Sequence, residues 1–136
     1  MKLAKYMRAD TQLPTEGTLN LSPLLGTWIN TSPETDHIIK VVTDSQGDGA
    51  LTVHIYGANS PNPIDWGVVK ATPFGGGKTM EAIGFHAHYD FGSIETHLVS
   101  NQKLGILVIQ SYSSFKDDSG RPNHFAREFF HILKPK

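Results

Sequence analysis

From Leu24 to Leu133 apolar and polar residues alternate with a period of two. Clusters of Gly, Pro, Asn, Asp and Ser interrupt the alternation about every 8–14 residues, the spacing expected of short strands. Successive side chains of an extended strand point to opposite faces, so this pattern predicts strands with one face turned inward. Strands are predicted at about 25–30, 37–43, 50–57, 64–72, 79–89, 93–100, 103–113 and 123–133. The segments between them, such as Ser45-Gln46-Gly47, Asn59-Ser60-Pro61-Asn62-Pro63, Gly75-Gly76-Gly77 and Asp117-Asp118-Ser119-Gly120, carry turn residues. Gly and Asn there supply positive φ, and Pro presets φ and withholds a donor. The expected fold class is all-β: a single eight-stranded antiparallel up-and-down barrel.

The N-terminus breaks the pattern. Leu3, Tyr6 and Met7 lie at i, i+3, i+4 and predict a short helix over 2–9. Residues 10–23 are rich in Thr, Pro and Gly and read as an extended lead-in. Residues 1–23 are therefore an N-terminal extension, and 24–136 the barrel domain. Within the barrel, strand 50–57 sets Leu51, Val53 and Ile55 against Thr52, His54 and Tyr56. In the last strand Phe125, Arg127, Phe129, His131 and Leu133 oppose His124, Ala126, Glu128, Phe130 and Ile132, so both faces are mixed. Mixed faces suit a barrel whose interior holds polar groups.

Composition narrows the function classes. A chain of 136 residues is one domain. The absence of cysteine excludes a disulfide scaffold, a thiol nucleophile and thiolate-held metal clusters. A net charge of −1 argues against nucleic acid or a polybasic membrane surface as partner. No signal-peptide core and no long apolar run is present, so cytoplasmic residence is expected. No cofactor motif appears, and none is expected. The expected partner is a small-molecule ligand, with the outer faces of an edge-free barrel open to homo-oligomerisation.

Leu25-Gly26-Thr27-Trp28 resembles the opening strand of the calycin superfamily (lipocalins, fatty-acid-binding proteins and avidins), in which G-x-W begins an up-and-down barrel. The resemblance implies that the indole closes the barrel bottom and that an Arg of the last strand packs over it, here Arg127. Such a cation–π contact is worth roughly 0.5–2 kcal/mol. Avidins look locally closest, through Gly26-Thr27-Trp28, Asn30 and Asp48-Gly49-Ala50-Leu51-Thr52. Only Trp28 and Trp66 occur here, fewer than line an avidin pocket, so biotin binding does not carry over.

An eight-stranded barrel is just wide enough to hold one small molecule or to be filled by side chains. The candidate ligand-binding residues are Asn30, His54, Tyr56, Trp66, Phe85, Tyr112, Arg127 and Phe129: aromatic surface with a few polar anchors. The alternative is a barrel enzyme of isomerase or cyclase type. Its acid–base group would be His86, His88 or His54, with a Tyr such as Tyr89 or an Arg stabilising developing charge. A third reading is a carbohydrate- or protein-binding module that exposes Trp66 outside the barrel.

His86 and His88 flank Ala87 and share one strand face. An even-numbered loop at Phe91-Gly92 sets His86 opposite His97 and His88 opposite Glu95, whereas an odd loop separates the pairs. Three imidazoles and one carboxylate suit zinc, or iron with open positions. The same residues are ordinary on a solvated outer face. That reading leads, and no metal is assigned to His86, His88, His97 and Glu95.

Overall fold

A computed structural model describes residues 17–134 apart from Asp48 and Lys78; the helix expected over 2–9 lies outside the described residues. Eight strands follow one another: β1 (Gly26–Asn30), β2 (Ile38–Ser45), β3 (Leu51–Gly57), β4 (Ile64–Gly75), β5 (Ala82–Asp90), β6 (Ile94–Lys103), β7 (Ile106–Phe115) and β8 (His124–Ile132). Each pairs antiparallel with the next, and β1 pairs with β8 to close the barrel. The expected up-and-down barrel is the observed one, and it is compatible with a calycin-like fold. Among the described residues no helix is long and apolar enough to cross a membrane.

One end of the barrel is plugged. A single 3-10 turn, Ser22–Leu24, precedes β1 and buries Leu24. The indole of Trp28 donates to the Leu24 carbonyl at 3.0 Å, and the Thr43 hydroxyl donates to the same oxygen. Asn20 forms a bridge to Glu81, and the Gln102 amide donates to the Pro23 carbonyl at 3.1 Å. The lead-in thus docks as a lid of backbone hydrogen bonds on the end where Trp28 sits. Gly26 explains the first letter of the G-x-W motif: its φ is +139°, and a β-carbon there would lie 2.6 Å from Ile132 Cδ1. The positive φ favours glycine at that point, and the nearby Ile132 methyl adds to the crowding.

The Trp28 indole therefore helps close the bottom, as the resemblance implied, but the arginine does not cover it. Trp28 is paired with Ile132. On β8 the inward parity belongs to Ala126, Glu128, Phe130 and Ile132, so Arg127 projects outward, its guanidinium 5.2 Å from the Phe129 ring centre. Above the plug the interior is filled by Val53, Phe85, Leu98, Leu107, Ile109 and Phe130, each no more than 1% exposed.

Close approach of β5 and β6 depends on Gly84. A β-carbon at Gly84 would lie 2.2 Å from the Ser100 carbonyl oxygen, a backbone atom that cannot swing away. Gly84→Ala is expected to lower stability by about 1–3 kcal/mol or more through overpacking. Gly47→Ala, at a turn with nothing within 4 Å, is expected to stay within about 0.5 kcal/mol of the parent. Chemical denaturation of the two variants checks the contrast.

Candidate functional site

The end opposite the plug is open, and its geometry begins with a bulge. Tyr56 pairs with Asp65 and His54 with Val68, so Ile55 faces two residues, Trp66 and Gly67. The extra residue shifts the phase of β4 and turns Trp66 inward, the usual effect of a bulge at a barrel rim. Gly67 accommodates the bend with φ +89°. Its N–H donates to Asp65 Oδ1 at 2.7 Å, and its carbonyl accepts the Tyr89 hydroxyl at 2.7 Å. The Ile55 N–H donates to the same hydroxyl oxygen at 3.3 Å. The motif Asp65-Trp66-Gly67 is thus a pinned bulge. Gly57 leaves room for the indole, since a β-carbon there would lie 2.7 Å from Trp66 Nε1.

Around Trp66 stand His37, Tyr89 and Phe91, all edge-on, at centroid distances of 5.8, 5.6 and 5.5 Å. Phe91 comes from the β5–β6 hairpin, where Gly92 at φ +89° and the Phe91 N–H to Ile94 carbonyl bond of 2.9 Å set the turn. Across the opening Thr96 and Ser113 share a 2.8 Å hydrogen bond between hydroxyls. His37, Trp66, Phe91, Thr96 and Ser113, with Ile64, Asp65 and Ile94 at the rim, line an open-mouthed cavity of about 390 Å³.

Beside it lies a carboxylate that the chain takes out of water. Glu128 is only 15% exposed at its side chain. Its Oε1 accepts from His37 Nδ1 at 2.9 Å and from the Ile38 N–H at 3.2 Å. Its Oε2 accepts from Asn30 Nδ2 at 2.8 Å and from the Thr35 hydroxyl. Burial pushes the Glu128 carboxyl up, but the bonds from His37, Thr35 and Ile38 outweigh it and hold the group below the usual carboxylate range. Among the described residues His37 Nε2 has no protein partner.

Tyr89 is 3% exposed, and desolvation, partly offset by the Ile55 N–H and reinforced by the Asp65 charge, pushes its phenol up to about 12. Its hydroxyl straps the bulge by donating to the Gly67 carbonyl.

Of the residues predicted to line the interior, Asn30 and Trp66 reach the open end and Phe85 packs into the filled core. The others need correction. His54, Tyr56, Tyr112, Arg127 and Phe129, together with His86 and His88, project from the outer face, because each alternates with a buried neighbour such as Ile55, Ser111, Phe130 or Ala87. Outside the barrel His54 Nε2 lies 2.6 Å from Asp65 Oδ1 and its ring stacks on Tyr56. The His54 bond, then the Gly67 N–H, hold the Asp65 carboxyl below the usual carboxylate range.

His86, His88, His97 and Glu95 do share one face, with a register two residues from the expected one. His88 pairs with His97, and Asp90 with Glu95. The loop is four residues between paired positions, still even, so the faces agree while the partners change. Asp90 binds Lys116 at 2.7 Å and caps the hairpin through the Gly92 N–H.

Sequence reasoning missed Glu128, His37, Phe91, Thr96 and Ser113 as site residues. Glu128 carried a readable signal, a lone carboxylate on the face shared with Ala126, Phe130 and Ile132. No family model, curated protein or solved structure matches this chain. Fold and geometry define a closed up-and-down barrel with one plugged and one open end.

Proposed function

We propose that this calycin-like barrel binds a small, partly apolar molecule in its open mouth. The observation that carries the reading is the roughly 390 Å³ cavity walled by Trp66 and Phe91 on one side and Thr96 and Ser113 on the other. Its size falls in the range of about 300–1,000 Å³ usual for ligand sites, and its mixture of apolar wall and few polar groups is the usual one. The ligand seats a ring or short apolar body against the Trp66 face. Its polar end meets His37 and the Thr96–Ser113 hydroxyls. Asp65 at the rim and half-buried Glu128 disfavour an anion, so the polar end is neutral or cationic. The filled lower barrel limits the ligand to the mouth.

Native mass spectrometry of the purified protein, followed by thermal-shift screening of a metabolite panel, tests the reading. The expected result is a bound small molecule whose affinity drops about tenfold or more in Trp66→Ala, a loss of about 1.4 kcal/mol or more. Phe129→Ala, on the outer face, is expected to bind as the parent does. Equal binding by parent and Trp66→Ala would place the ligand elsewhere and overturn the reading.

One observation favours a second reading, a barrel enzyme of isomerase or cyclase type. His37 is held by Glu128 through Nδ1 while Nε2 is left unpartnered among the described residues, the arrangement of a general base oriented by a carboxylate. His37, in place of His86 or His88, would then move the proton. Turnover of the bound molecule by the parent and its loss in His37→Gln would distinguish this reading from binding alone. Trp66 is half-buried and lines the mouth, which weighs against the reading of a carbohydrate- or protein-binding module that presents Trp66 outside the barrel.

A further inference from the structure

The outer face of β5 and β6 carries a set of donors that the mouth does not use. His88 Nε2 lies 2.7 Å from Glu95 Oε1, and His97 Nε2 lies 3.5 Å from the same oxygen. One ligand atom from each of His88, Glu95 and His97 falls within 4.8 Å of the other two. Among the described residues this is the one group of three such donors gathered so closely. Donors at about 2.0–2.2 Å from a tetrahedral zinc are about 3.3 Å apart, so the spacing requires only side-chain rotation.

The platform is stiff. Seven consecutive residue pairs, from Gly84 with Asn101 to Asp90 with Glu95, hold β5 against β6 without a bulge. His88 and His97 stand directly across from each other with rings stacked at 4.5 Å and 24°. The surrounding groups also leave the right atoms free. Lys116 approaches Glu95 through Oε2 at 3.7 Å and binds Asp90 at 2.7 Å, so Oε1 is the oxygen turned to the histidines. His86 Nε2 lies 3.0 Å from His97 Nδ1. A metal on His97 Nε2 leaves Nδ1–H to donate to His86, the outer hydrogen bond that ligating histidines usually make. The carboxylates of Asp90 and Glu95 outnumber the one ammonium of Lys116 beside the site.

We infer that His88 Nε2, His97 Nε2 and Glu95 Oε1 form a three-ligand site for a divalent late transition metal of the zinc class, with His86 orienting His97. Two imidazoles and one carboxylate select zinc, cobalt, nickel or copper over magnesium and calcium, which prefer oxygen cages. Three protein ligands on an exposed face leave the remaining position open to water or to a partner's donor. The metal site does not depend on the ligand in the mouth, since the two lie on opposite faces of the sheet.

Titration of the tag-free protein with Co²⁺ alone, read by visible absorption and by competition with Zn²⁺, tests the assignment. One equivalent is expected to give the intense bands of a four-coordinate ion. His88→Ala and His97→Ala are expected to abolish them, and His86→Ala to weaken binding by about 10- to 100-fold, as loss of an outer partner does. His131→Ala, on β8, is expected to leave them unchanged, and Mg²⁺ is not expected to compete. Circular dichroism checks that the variants fold, and His97→Gln repeats the test with a side chain that keeps the bulk. Absence of stoichiometric cobalt binding overturns the inference. So does unchanged affinity in folded His97→Ala or His97→Gln, or an equal loss in His131→Ala.

Discussion

Glu128→Ala is expected to destabilise the barrel by about 2–4 kcal/mol. Losing a hydrogen bond to a charged group costs about 1.5–3 kcal/mol, and leaving several part-buried donors without their shared acceptor adds to it, though the carboxylate keeps some water access. The loss falls on four donors at once: the Asn30 amide, the Thr35 hydroxyl, His37 Nδ1 and the Ile38 N–H. Asn30 is 4% exposed, so solvent cannot readily replace its partner, although its amide also donates to the Ile38 carbonyl at 2.8 Å. Glu128→Gln is expected to recover part of the stability, because one amide oxygen accepts while the new NH₂ faces donors it cannot bond.

The same group sets an acid dependence. Among the described residues His37 is the only titratable side chain bonded to Glu128. A carboxyl held below its unfolded value binds fewer protons in the folded state, so its contribution is present above the unfolded pKa of about 4.3. It is lost as the pH falls through the lower folded value. Stability should therefore fall on acidification below the ordinary glutamate range, with a shallower decline in Glu128→Gln. Urea denaturation of both proteins across that acid range measures the difference in slope; equal slopes would refute the assignment.

Trp28→Ala is expected to cost about 3–5 kcal/mol, the usual penalty for truncating a buried aromatic residue. Trp28 is 2% exposed and packs where the lead-in caps the barrel. Two effects compete: the cavity and the lost hydrogen bond to the Leu24 carbonyl. The carbonyl still receives the Thr43 hydroxyl, so it is not orphaned, and the cavity dominates. Trp28→Phe, which keeps most of the volume, is expected to lose only about 1–2 kcal/mol. Equal losses in the two variants would shift the weight to the hydrogen bond. Equilibrium unfolding of both separates the two effects.

The strand faces were readable wherever alternation was uninterrupted. Leu51, Val53 and Ile55 are all buried, as their spacing required. Legibility ended where function needed a choice between two mixed faces. On β8, Phe125, Arg127 and Phe129 offered as good an interior as Ala126, Glu128 and Phe130, and side-chain volume did not separate them. Their parity is decided by pairing with β1, where Asn30 meets Phe130 and Trp28 meets Ile132. The His cluster shows the same division. An even loop was enough to put His86, His88, Glu95 and His97 together, but the hairpin held by Asp90 and Gly92 chose their partners.

What the amino-acid order determined by itself is local: a period of two, turn residues at the punctuation, and Gly26-x-Trp28 at the start of the first strand. These suffice for eight strands in an up-and-down barrel because each hairpin joins neighbours in sequence. The tertiary structure alone decided which end is open and what lines it. The bulge at Trp66–Gly67 reverses the phase of β4, and it depends on Tyr89 reaching across from β5. Glu128 meets His37 across a separation of 91 residues. Such contacts exist only after closure, when the desolvated carboxylate must find its donors wherever the folded chain brings them.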